Sequence, residues 1–292
     1  MIRRRDVLKS ALASAWAPLA LADVAGARKL KLLYFTRSAG FEHSVVRRRA
    51  GEQSHSETNL IAMGRRSGFE VECTKDGRIF DASLQPYDAI AFFTTGNLTG
   101  PAKDGSPAMT AAGKQKLLDA IAGGKGFVGI HSAADTFHSK GRQNENQTSM
   151  DPYIAMLGAE SLAHGAPQEA SLLAPSDFLS KNIGVPSEAL SFTDEWYTFK
   201  NFAKDLHAIL VQETQFMKGD AYRRPDYPAT WARIHGRGRV FYTSLGHREE
   251  VWTDPFFHAI VQAGVAWVTN RFDFDVAPNL EKAAPQAGQL KS

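Results

Sequence analysis

Short apolar runs separated by glycine-rich and polar breaks recur along the first half of the chain. Residues 29–35, KLKLLYF, run into Thr36-Arg37-Ser38-Ala39-Gly40, the pattern of a strand passing into a loop. Residues 45–66 predict a helix closed by Gly68, and residues 69–73, 87–93 and 126–130 predict three further strands. Between the last two, residues 110–122 carry apolar positions at helical spacing and stop at Gly123-Gly124. Strand and helix therefore alternate, which predicts an α/β fold: a flavodoxin-like, mostly parallel sheet with helices on both faces.

The second half is less regular. Residues 153–157 look helical and 170–173 and 208–211 look like strands, while Pro167, Pro175, Pro186, Pro225 and Pro228 punctuate long connections. Strands at 229–234 and 238–244 are joined by His235-Gly236-Arg237, a predicted hairpin turn. A last helix is predicted over 254–268, and residues 274–292, rich in Ala, Gln, Pro and Lys, predict a solvated tail. One α/β domain over residues 28–273 is expected, without internal repeats.

The amino terminus adds an address. Arg4-Arg5-x-Val7-Leu8-Lys9, an apolar run over 11–21 and Ala25-Gly26-Ala27 form a basic region, a short hydrophobic region and a small-x-small cleavage pattern. This resembles a twin-arginine signal, which exports folded proteins to the periplasm or beyond, and the run is shorter than the ~20 residues of a membrane span. Loss of residues 1–27 removes four basic and two acidic residues, taking the net charge from +3 to +1. A nearly neutral surface argues against nucleic acid or anionic lipid as the main partner. With Cys73 as the single cysteine, no internal disulfide is available and stability must come from the core.

In parallel α/β sheets ligands sit beyond the carboxyl ends of the strands, so polar residues just after strands carry the candidate chemistry. In Gly129-Ile130-His131-Ser132-Ala133 small residues flank a raised position, the spacing of a nucleophile elbow with a histidine in place of the nucleophile. His131 can serve as base or ligand, or be held structurally in a tight turn, and neighbouring Ser132 keeps acyl chemistry open. His247 follows a second strand behind Gly246, and His43 follows the first. Asp194-Glu195-Trp196-Tyr197 offers carboxylates to act as base or orient a histidine, and rings to stack on a sugar or to fill the core. His164 is a further member. No His-x-x-x-His or paired-cysteine spacing is present, so a metal such as zinc would need distant residues such as His131, His164 and His247. Gly123-Gly124-Lys125-Gly126 precedes a strand rather than following one, which argues against a phosphate loop.

Four blocks resemble the ThuA-like (trehalose utilisation) family: residues 40–43 (GFEH), 124–133 (GKGFVGIHSA), 194–197 (DEWY) and 236–247 (GRGRVFYTSLGH). The resemblance spans residues 29–270 and implies the class I glutamine amidotransferase-like fold without its cysteine nucleophile. His131 stands where that cysteine would be, and His247 falls near the place of the catalytic histidine. The resemblance further implies carbohydrate metabolism, with disaccharides or oxidised (3-keto) glycosides as substrates. His164-Gly165 departs from the His-Pro common in the family, and Asp151-Pro152 stands where a tryptophan is common; both bear on substrate identity.

The expectation is an exported enzyme acting on a small carbohydrate by acid-base chemistry. His131 and His247 would move protons or polarise a carbonyl, Asp194 or Glu195 would orient one of them, and His43, Ser132, Trp196, Tyr197 and His164 would line the substrate. A non-catalytic sugar-binding protein that works with partner enzymes is the second reading, and an amidotransferase or peptidase using Ser132 the third.

Overall fold

The computed structural model describes residues 28–184 and 190–291. The export signal predicted over 1–27 and the break predicted at Pro186 lie outside them. β1 (Leu30–Phe35), β2 (Phe69–Thr74), β3 (Ala89–Phe92) and β4 (Gly126–Ile130) form where the sequence predicts strands. Leu32 and Tyr34 of β1 pack into one core cluster, and Leu33 and Phe35 into the other. Two-sided burial is why β1, β3 and β4 read as near-continuous apolar runs, whereas the edge strand β2 alternates, with Glu70 exposed. Helices α1 (His55–Ser67) and α2 (Ala111–Ala122) lie on opposite faces, Leu60 and Met63 packing in the first cluster and Leu117 and Ile121 in the second.

The first helix starts ten residues later than its apolar pattern predicts. A capping box fixes its start: the Ser54 side chain accepts the N–H of Glu57, and the Glu57 carboxylate accepts the N–H of Ser54. The chain ahead of it, from Thr36 to Ser54, is a long connection with one 3-10 turn at Ser44–Val46.

Further along come α3 (Pro152–Leu157), β5 (Glu160–His164), β6 (Gln168–Leu173), α4 (Phe178–Ile183), β7 (Leu190–Asp194), β8 (Tyr197–Lys200) and β9 (His207–Gln212). They are followed by β10 (Tyr227–His235), β11 (Gly238–Thr243), α5 (Pro255–Val268) and α6 (Leu280–Ala283). The main sheet has nine strands in the order β2-β1-β3-β4-β11-β10-β9-β6-β7. Pairings from β2 to β11 are parallel and those from β11 to β7 antiparallel, so the sheet is mixed rather than mostly parallel. The hairpin at His235-Gly236-Arg237 makes the switch, because a two-residue return can join only antiparallel neighbours. β5 and β8 form a separate two-stranded sheet broken by a bulge, two short strands of mixed polarity that the hydrophobic pattern does not reveal.

The carboxyl-terminal stretch is not a solvated tail. Asn279 pairs with both backbone groups of Ala208, Arg224 Nη2 donates to the carbonyl of Ala287, and Ala284 and Ala287 are buried. Small alanines seated under a buried guanidinium leave no apolar run to read. No helix among the described residues is long and apolar enough to cross a membrane.

Candidate metal centre

Four loops at the carboxyl ends of β1, β4, β7 and β11 build the site. His131 follows β4 with φ at 46°, a left-handed conformation rare outside glycine. Tyr242 from β11 holds it there, donating its hydroxyl to the His131 carbonyl at 2.6 Å. His131 Nδ1 lies 2.8 Å from the Ser244 carbonyl, which only accepts, so the ring proton sits on Nδ1 and Nε2 presents a lone pair to the cleft. The raised histidine anticipated in the strand-to-turn motif is thus locked in one tautomer.

His247 hangs from the loop after β11. Gly246 reaches φ of 124° there, and its carbonyl accepts the indole N–H of Trp252 at 2.8 Å. Asp194, the last residue of β7, accepts the N–H groups of Gly246 and His247 through Oδ2 and that of Glu195 through Oδ1. Asp194 is fully buried, and burial raises its carboxyl above the usual range. It therefore orients backbone on both sides of the cleft and does not face a substrate.

Glu195 is the hub. Its Oε2 lies 3.1 Å from His247 Nδ1 and 3.5 Å from His131 Nε2, and its Oε1 lies 3.1 Å from His164 Nδ1. Burial would raise its carboxyl, but the three imidazoles packed around it outweigh that and hold it far below the usual carboxylate range. His43 closes the cluster, its ring centroid 5.0 Å from that of His131 and 5.2 Å from that of His247. Its Nδ1 is buried without a hydrogen-bond partner. Burial, then the two neighbouring histidines, push its pKa down to about 2, so the ring is neutral.

His43, His131, Glu195 and His247 each offer one ligand atom, all within 4.8 Å of one another. Zinc bonds of ~2.0–2.1 Å in tetrahedral geometry separate ligand atoms by about 3.3–3.4 Å. The separations of 3.3, 3.1 and 3.5 Å among His247 Nδ1, His131 Nε2 and Glu195 Oε2 match one face of such a tetrahedron. Three imidazoles and a carboxylate, with an orphaned buried nitrogen on His43, suit a borderline divalent ion.

Other anticipated residues fall elsewhere. His164, 48% exposed, touches Glu195 and lies outside the four-residue set, whereas His43 and Glu195 enter it in its place. Trp196 is fully buried and donates its indole N–H to the Gln168 carbonyl, which makes it a core residue rather than a sugar platform. Tyr197 is buried with its ring centroid 4.7 Å from that of His131. Ser132 is fully buried, its Oγ without a partner. Tyr242 and Trp252, which hold the two histidine loops, were not singled out in the sequence. Their apolar surroundings hide the fact that each hydroxyl or indole N–H meets a loop carbonyl.

These features define an α/β protein with a histidine-carboxylate cleft at the carboxyl ends of its parallel strands. The chain belongs to the ThuA family, described as trehalose utilisation, whose sequence profile matches residues 31–268. The family sets the protein in carbohydrate utilisation. No curated protein sequence matches the chain. In fold it is similar to a ThuA-like protein from Bacteroides uniformis, with TM-score 0.61, 19% identity, and coverage of 85% of this chain and 94% of that one. A ThuA-like protein from Parabacteroides merdae is equally similar, with TM-score 0.61, 16% identity, and coverage of 91% and 100%.

Proposed function

We propose that this is an exported, metal-dependent enzyme of carbohydrate utilisation that processes a disaccharide or a 3-keto glycoside. The observation that carries the reading is the convergence of His43, His131, Glu195 and His247, with ligand atoms within 4.8 Å of one another. A divalent ion held by them, with a further coordination position left open toward the cleft, would polarise a sugar oxygen or lower the pKa of a bound water. His131 and His247 then act as ligands rather than as the proton-transfer groups anticipated from sequence. Asp194 fixes the backbone on either side of Glu195 and His247, and Glu195 orients His164. His164, half-exposed at the rim, is the group placed to exchange a proton with a bound sugar.

The order β2-β1-β3-β4-β11 of the parallel strands supports reading that half of the sheet as flavodoxin-like, as in class I glutamine amidotransferases. With histidine at the raised position and Ser132 buried, acyl transfer has no support here. The Arg4-Arg5 signal supports twin-arginine export, a route that lets the domain fold and take up its ion first. The test is metal analysis of the purified protein combined with incubation with trehalose and its 3-keto form. About one zinc per chain and a new product are expected. Metal with sugar binding but no product would make it a binding protein, and neither metal nor turnover would overturn the reading.

A further inference from the structure

We infer that Phe41 is the platform on which the sugar ring lies, which deepens the carbohydrate reading above and rests on it. Four large apolar side chains are exposed among the described residues: Phe41, Leu173, Phe216 and Ile234. Phe41 is the one whose ring meets the cluster, its centroid 5.0 Å from that of His43 at an interplanar angle of 87°. It is 62% exposed.

Its exposure does not come from a loose loop. The Phe41 carbonyl accepts the Thr95 hydroxyl at 2.7 Å, and the N–H groups of Ala39 and Gly40 both donate to the Thr95 carbonyl. Ser38 and Thr95 form a parallel bridge that extends the sheet toward the site. The backbone of Phe41 is therefore fixed on the end of β3, and its ring is held beside a metal ligand with a face open to water.

Pyranose recognition needs a flat apolar surface against the C–H face of the sugar as well as polar groups for the hydroxyls. The other rings near the cluster cannot supply that surface. Phe93, Trp196, Tyr197 and Trp252 are all buried. Phe41 is left to take the C–H face of a pyranose ring. The sugar edge would then point at the cluster behind His43, with His164 at the rim.

The test is calorimetric titration of the zinc-loaded protein with trehalose and with 3-keto-trehalose, alongside Phe41→Ala and Phe41→Trp, with zinc content measured for each. The structure predicts that Phe41→Ala weakens sugar binding about fivefold to tenfold, that Phe41→Trp retains it within about twofold, and that zinc content is unchanged. If Phe41→Ala binds as the wild type does, the platform role falls and the carbohydrate reading stands. Should Phe41→Ala lose zinc, the ring acts by supporting His43 and the inference is overturned. Should the wild type bind neither sugar, the carbohydrate reading fails and takes this role with it.

Discussion

The carboxylate of Asp194 accepts the backbone N–H of Gly246 at 2.7 Å, joining the end of β7 to the loop after β11. These strands stand four places apart in the sheet. Four strand spacings in a flat sheet would separate them by about 19 Å, more than the three residues from Ser244 to Gly246 can span after the end of β11. The antiparallel half must curl back over the carboxyl ends of the parallel half, and Asp194 fastens it there. That curl delivers Glu195 to the histidines.

Asp194→Asn tests the fastening. An amide in place of Oδ2 would set a donor against the N–H groups of Gly246 and His247. We expect a stability loss of about 1–3 kcal/mol by denaturant unfolding and a fall in zinc affinity, although Asp194 is outside the ligand set. An unchanged zinc affinity would contradict the positioning role.

Individual ligand replacements should separate the four-residue set from its neighbour. His43→Ala, His131→Ala, Glu195→Gln and His247→Ala are each expected to abolish stoichiometric zinc, as read by mass spectrometry of the dialysed protein. His164→Ala should keep zinc with an affinity weakened about 10–100-fold, as expected for a residue that holds a ligand rather than the ion. Full zinc retention by His43→Ala would remove His43 from the centre.

Chelation should loosen the fold, because the candidate ligands come from loops after four strands and an ion held by them would bind only the native arrangement. At free zinc about 100 times Kd the ion contributes about 2.7 kcal/mol. Its removal is expected to lower Tm by roughly 5–10 °C in a scanning experiment, with recovery on re-addition. An identical Tm with and without chelator would argue against the centre.

A second charged cluster beside the site predicts a pH effect. His138 Nε2 lies 2.9 Å from Asp135 Oδ1 and its Nδ1 3.0 Å from Glu160 Oε1, with Asp135 five residues after Ile130, the last residue of β4. Hydrogen bonds to Asp135 and Glu160 raise His138 from 6.5 to about 9. Burial works against Glu160 ionisation, but His138 and Ser139 hold that carboxyl down at about 2.

The raised histidine stabilises fully below pH 6.5, and its contribution is lost as pH climbs through about 9. The depressed carboxylate contributes above 4.5 and loses its effect as pH falls toward about 2. His138 is 46% exposed, so solvent screening reduces the term. His138→Gln should therefore destabilise most near about pH 5.5, by the order of 1 kcal/mol more than at about pH 10. Equal destabilisation at the two pH values would sink the assignment.

The local half of this protein could be read from its sequence. The central strands of the parallel half, β1, β3 and β4, are buried on both faces and β2 alternates at the edge, all bounded by glycines or polar loops, so their places and the histidines after β1 and β4 are written in hydrophobic pattern and spacing. The same holds for His131 at the raised position after Gly129-Ile130 and for the hairpin at Gly236. Pattern says nothing about partners distant along the chain. The short strands β5, β7 and β8 of mixed polarity, the packed stretch around Ala284 and Ala287, and the burial of Trp196 depend on contacts made between distant segments. Membership of the candidate metal-binding set was decided in the same way. Sequence proposed His164, a histidine like the others, but only the curl fastened by Asp194 brings Glu195 between His131 and His247 and leaves His164 at the rim. A ligand set is defined by distances of a few ångströms among residues up to 204 positions apart, His43 to His247, and those distances are a property of the folded sheet.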